Sequence, residues 1–172
     1  MLSIQNINDM SDAQLWVELS KCCGSKTWIK LMLENHPYTN IEDLYLKASH
    51  LWFSVDTNDC LEAYSHHPQI GDMDSLKKKF GTTANWSGKE QAGVNTASED
   101  VLKELKLLNE EYYSKNGFVF LICATGKSAE EMLISLKERI VHTRDQELKI
   151  AAQEQNKIIK IRLEKWINGV PA

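Results

Sequence analysis

The segment Ser65-His66-His67-Pro68-Gln69-Ile70-Gly71-Asp72 holds the residue best suited to moving a proton in this chain. An imidazole exchanges its proton near neutral pH, so a histidine fixed at a cleft can act as general acid or base. Proline at position 68 drives the preceding residue out of the α region. That predicts a helix ending near Tyr64, with His67 at the break. Gly71 permits a tight turn directly afterwards. A structural role is also open on local grounds, because histidine at a helix C-terminus interacts well with the helix dipole anyway.

A second polar group is Trp86-Ser87-Gly88-Lys89-Glu90-Gln91. On a helical turn Ser87 faces Glu90 and Gln91, three and four residues on. A hydroxyl, a carboxylate and an amide on one side could grip a polar heterocycle, although Ser-x-x-Glu is also the signature of a helix cap. Arg162 is the third candidate. At 100° per residue, Leu148, Ala151, Ala152, Gln155, Ile159, Arg162, Leu163 and Trp166 share one apolar sector of the last helix. Arg162 is the only charge in that stripe, and a buried guanidinium needs an anion or several acceptors. A structural carboxylate and a ligand are both open as its partner.

Ala124-Thr125-Gly126-Lys127-Ser128 looks like the end of a phosphate-binding loop, G-x-x-x-x-G-K-[ST]. The first glycine of that motif would stand where Leu121 does, so nucleotide hydrolysis is not expected. Backbone N–H groups at the helix start that follows could still hold a polar or anionic group. No metal site is expected: His36, His50, His66, His67 and His142 form no i, i+4 pair and have no cysteine nearby. Trp16, Trp28, Trp52, Trp86 and Trp166 recur with apolar neighbours and read as core.

Helices must position these groups. Capping-box spacing recurs at Ser11…Gln14, Thr96…Glu99 and Ser128…Glu131, with Asn40 and Thr143 as further caps. The expected helices are Asp12–Ser20, Lys26–Glu34, Ile41–Ser54, Asn58–Tyr64, Ala97–Lys115, Ala129–Val141 and Arg144–Ile167, with short turns at Asp74–Phe80 and Trp86–Gln91. Gly117 and Gly169 suit helix ends. Phe118-Val119-Phe120-Leu121-Ile122 reads as extended. Isolated in sequence, it is expected to be a buried extended segment or part of a helix. The fold class is all-α, a single-domain helical bundle over residues 1–172.

The 172 residues, 42% hydrophobic and 26% charged, suffice for a packed core. A net charge of −4 without a clustered basic face argues against nucleic-acid binding. No stretch reaches the apolar length needed to span a bilayer, and no secretory signal opens the chain. Cys22, Cys23, Cys60 and Cys123 form no C-x-x-C pair, which points to a reducing compartment.

The ordered set His67-Pro68-Gln69-Ile70-Gly71, Ser87-Gly88-Lys89-Glu90-Gln91, Phe118–Ser128 and Glu154-Gln155-x-Lys157-Ile158 leading to Ile161-Arg162-Leu163 resembles the OHCU decarboxylase family, over nearly the whole chain. That family acts on 2-oxo-4-hydroxy-4-carboxy-5-ureidoimidazoline. The resemblance implies an all-helical homodimer without metal or organic cofactor, converting this small-molecule substrate to (S)-allantoin and CO₂ in urate breakdown. It assigns His67 and Glu90 to catalysis. It assigns Pro68, Ser87, Gln91, Arg162 and the backbone near Ile122, Cys123 and Ala124 to substrate binding. Family members from eukaryotes often end in a peroxisomal tripeptide. This chain ends Val170-Pro171-Ala172, so a cytoplasmic location is expected. The alternatives are a non-catalytic helical interaction module and a decarboxylase for a related ureido ring.

Overall fold

The computed structural model describes residues 1–67 and 91–170, and for residues 91–98 the backbone alone. Among these residues the regular structure is eight helices: α1 (Ile4–Asn8), α2 (Asp12–Cys22), α3 (Lys26–Glu34), α4 (Ile41–Trp52), α5 (Thr57–Ser65), α6 (Gln91–Asn116), α7 (Ala129–Arg139) and α8 (Arg144–Asn168). The all-α expectation holds, and the bounds of α3 coincide with those expected.

Local capping explains most of the boundaries. Ser11 and Gln14 close a reciprocal box at α2, as do Ser128 and Glu131 at α7. Asn40 accepts from the Asp43 amide at 2.8 Å, and Thr143 accepts from that of Gln146 at 3.3 Å. The Thr96…Glu99 box is not used as a start, because the chain is already helical from Gln91 and Thr96 lies inside α6. Helix α1 was not expected. Its box pairs Ser3 with Asn6, where the expected signature has Glu or Gln. The turns expected at Asp74–Phe80 and Trp86–Gln91 lie outside the described residues, except for the backbone of Gln91. Gly117 and Gly169 end their helices at φ 75° and 70°.

The chain divides into two units, Met1–His66 with Ala152–Ala172, and His67–Ala151. In the first, α3 packs against α2, α4 and α5. Trp28, Ile29 and Met32 of α3 are buried, as are Leu15 and Leu19 of α2, Leu44 and Trp52 of α4, and Ala63 and Tyr64 of α5. Both buried indoles spend their N–H on a carbonyl, Trp28 on Ala48 at 3.0 Å and Trp52 on Ala152 at 2.8 Å. That satisfies the one polar atom of an otherwise apolar ring. Trp28 and Trp52 are therefore core, as expected. Trp16 and Trp166 are only half-buried. Trp86 lies outside the described residues.

The second unit packs α6 on α7 and buries a charge cluster. Glu147, near the start of α8, has no exposed surface. Its Oε2 accepts from the Tyr112 hydroxyl at 2.5 Å and from Nε and Nη2 of Arg139 at 2.9 and 2.7 Å. Its Oε1 lies 2.8 Å from His142 Nδ1. Arg139, itself buried, gives Nη1 to the Leu121 carbonyl at 2.7 Å and stacks over the Phe120 ring, 4.5 Å from its centroid. The Tyr112 ring meets Phe118 and Phe120 edge-on. One carboxylate thus ties α6, the end of α7, the start of α8 and the Phe118–Leu121 segment together.

Burial alone would raise the Glu147 carboxyl. Hydrogen bonds from Arg139 and Tyr112 outweigh it, and the pKa is held below the ordinary value. A lowered folded-state pKa contributes stability that is complete above the ordinary carboxylate range. It is lost as pH falls through the lowered value. Glu147→Ala leaves the Arg139 charge buried and unpaired, which should cost about 3–5 kcal/mol in urea unfolding at neutral pH. The loss of stability on acidification should be shallower in Glu147→Gln than in the parent. Equal acid slopes would contradict the cluster's electrostatics.

Candidate active site

His67 stands where the sequence expects it, just beyond the broken end of a helix. Asp56 opens α5 through a capping box with Asp59, buried Tyr64 anchors its last turn, and His66 is the C-cap. His67 follows, half-buried. The α2–α3 connection holds the C-terminal turn of α5 in place. Glu62 accepts the Lys26 backbone N–H at 3.0 Å and pairs with the Lys26 ammonium at 3.3 Å. The backbone bond holds the Glu62 carboxyl below its ordinary value. Next to it, Gly24 lies against His66 so closely that an added Cβ would stand 2.5 Å from Cγ and 2.8 Å from Cβ of that histidine. The clash is at the root of the side chain, so no rotation of its far end relieves it. Glycine here is a steric requirement, not a flexible joint.

Ile122, Cys123 and Ala124 form a short half-buried stretch between two fixed points. Upstream, Phe118, Val119, Phe120 and Leu121 are buried in succession without helix or strand, as expected of an isolated apolar run. Downstream, the Lys127 N–H returns to the Ala124 carbonyl at 3.2 Å across a tight turn. Gly126 takes φ 76° in that turn, a value that favours glycine. Ser128 then caps α7. Gly126-Lys127-Ser128 is therefore a turn and a helix cap. The Ser128 amide and that of Glu131 are already taken by the capping box.

Arg162 departs from its expected setting. The buried face of α8 runs Glu147, Ala151, Gln155, Ile159, Leu163 and Ile167, a strict four-residue step. Four residues turn about 400°, so such a stripe winds by about 40° per step instead of keeping one face. The buried charge of the helix is Glu147, and Arg162 sits half-buried at the margin. It donates to the Cys22 carbonyl at 3.2 Å. Among the described residues, no carboxylate is within salt-bridge distance of it. A pocket of about 280 Å³ opens beside it, lined by Glu18, Lys21, Cys22 and Trp166 among others. The burial of Cys22 pushes its thiol up to about 12, although the Arg162 charge opposes this, so the pocket offers a guanidinium and no reactive thiolate.

Pro68, Ser87 and Glu90 lie outside the described residues, as does the side chain of Gln91. Sequence reasoning missed the Tyr112–Arg139–His142–Glu147 cluster, having singled out neither Arg139 nor Glu147. The four-residue step through Glu147 was the signal that could have found it. Among the described residues no helix is long and apolar enough to cross a membrane.

Comparison with known proteins gives a consistent picture. The family model described as OHCU decarboxylase matches residues 8–164. The uric acid degradation bifunctional protein TTL of Arabidopsis thaliana is 40% identical over 149 residues, covering 86% of this chain and 46% of that one. The 2-oxo-4-hydroxy-4-carboxy-5-ureidoimidazoline decarboxylase of Amia calva is 29% identical, covering 74% of this chain and 73% of that one. A crystal structure of OHCU decarboxylase in the presence of (S)-allantoin superposes with a TM-score of 0.71 at 35% identity, covering 92% of this chain and 99% of that one. The chain spans less than half the length of the first curated relatives it matches.

Gly24→Ala, by forcing Cβ against His66, should lower stability by about 1–3 kcal/mol in urea unfolding. An unchanged midpoint would mean that the α5 end moves freely.

Proposed function

This chain belongs to the OHCU decarboxylase family, and on that premise we propose that it decarboxylates 2-oxo-4-hydroxy-4-carboxy-5-ureidoimidazoline to (S)-allantoin. The observation that carries the reading is the likeness, along almost the whole of both chains, to an OHCU decarboxylase crystallised in the presence of (S)-allantoin. The proposal extends to a homodimer in the cytoplasm that needs no cofactor.

The substrate supplies its own electron sink. As the bond to the carboxylate breaks, its electron pair flows into the adjacent ring C=N, the ring nitrogen takes up a proton, and CO₂ departs. The resulting enol returns a proton to the ring carbon that bears the ureido group, and the face protonated sets the chirality. The protein then has three tasks: hold the carboxylate out of the ring plane, stabilise the developing charge, and deliver the proton to one face.

We assign His67 as the acid–base group, acting on the hydroxyl beside the carboxylate or on the enol. Glu90 works with it, orienting the ureido or ring N–H groups together with Gln91. Ser87 and Pro68 contact the substrate, and the backbone of Ile122, Cys123 and Ala124 borders its ring. Arg162 grips a carbonyl oxygen and not the leaving carboxylate, because a tight pair there would stabilise the ground state more than the transition state. Its half-buried guanidinium beside a pocket supports a role of this kind.

His67→Ala should abolish turnover with the helical circular dichroism intact, and near-parental turnover would refute the assignment. Arg162→Met should raise KM at least tenfold while moving the unfolding midpoint little. An unchanged KM with a large stability loss would make Arg162 a structural residue.

A further inference from the structure

We propose that Arg139 is a positioning residue for the reaction, acting through the Leu121 carbonyl to fix the backbone of Ile122–Ala124. The inference rests on the reading above that this backbone borders the substrate.

The segment from Phe118 to Ala124 has no helix or strand to set its course. Buried side chains anchor it as far as Leu121, and from Ile122 onward the chain is only half-buried. The last anchored residue is where the Nη1 of Arg139 arrives, 2.7 Å from the carbonyl. The guanidinium that makes this bond is itself immobilised. Glu147 accepts from its Nε and Nη2, and Phe120 lies under its plane. Beyond Leu121, the turn closed between Ala124 and Lys127 also holds the chain. Three residues are therefore held between two clamps, of which Arg139 is one.

A buried ion pair with Glu147 could be formed by lysine as well. What lysine cannot do is offer a rigid fork that serves the carboxylate with two N–H groups and a backbone carbonyl with a third. A site that presents backbone groups to a small ring depends on placement to about half an ångström. The fork is thus suited to geometry more than to charge balance.

The test compares Arg139→Lys with Tyr112→Phe. The second variant removes one donor to Glu147 and leaves the Leu121 contact in place. Both are expected to fold with comparable losses of stability. Arg139→Lys should lower kcat/KM at least tenfold and speed amide hydrogen exchange over residues 122–124. Tyr112→Phe should stay within about twofold of the parent and keep slow exchange there. Equal effects of the two variants on activity and exchange would reduce Arg139 to a stabilising role and overturn the inference. Should Arg139→Lys not fold, Arg139→Gln takes its place in the same comparison, since its single amide can donate to Glu147 but has no second arm for the Leu121 carbonyl. A several-fold loss of kcat/KM then supports the proposal, and parental activity overturns it. The exchange measurement needs no substrate, so it tests positioning even if the parent forms no (S)-allantoin, in which case the functional reading alone has failed.

Discussion

A carboxylate shut away from water, Glu147, ties together the described helices of the second unit. Burying it is costly unless its oxygens are met by donors, and the chain meets them from three directions with Tyr112, Arg139 and His142. Tyr112 lies in α6, Arg139 ends α7 and His142 lies in the connection that follows, so the requirement of one side chain becomes a geometric link among α6, α7 and the start of α8. The arginine carries the link further, to a backbone carbonyl in a segment with no hydrogen-bonded ladder of its own. Removing the carboxylate strands the cation, and removing the cation releases the segment.

In the first unit, steric exclusion does the comparable work. Gly24 keeps a space that the root of His66 fills, and Glu62 binds the start of α3 to the last turn of α5. Both fix the chain where it leaves a helix, one residue before the imidazole assigned to proton transfer. The candidate groups accordingly sit at chain breaks: His67 after α5, Ile122–Ala124 before a capped turn. Helices supply rigidity, and their ends supply the exposed backbone and the reach that chemistry on a small polar ring requires.

Much of this was legible because capping is local. Ser11 with Gln14, Ser128 with Glu131, Asn40 and Thr143 each mark a helix start within four residues, and each does so in the structure. The end of α5 was legible for a similar reason, since Pro68 constrains its immediate neighbour. Thr96 shows the limit. It has the right spacing to Glu99, yet the helix already runs through it, since a capping signature has no force where the preceding turn is helical. Arg162 shows another. A fixed 100° wheel placed it inside the stripe, whereas the buried positions of α8 advance in fours and wind past it. Glu147 was hard to place because the Tyr112 hydroxyl that meets it comes from a helix distant in sequence. The family resemblance, resting on ordered short motifs, reached the same family as the match over residues 8–164.

The chemistry assigned here has a chiral product, and that gives it a decisive readout. Freshly oxidised urate is mixed with the protein, and the allantoin formed is followed by circular dichroism. The account predicts an optical signal of (S)-allantoin that grows in proportion to protein concentration. Racemic allantoin, appearing no faster than in buffer alone, would contradict it.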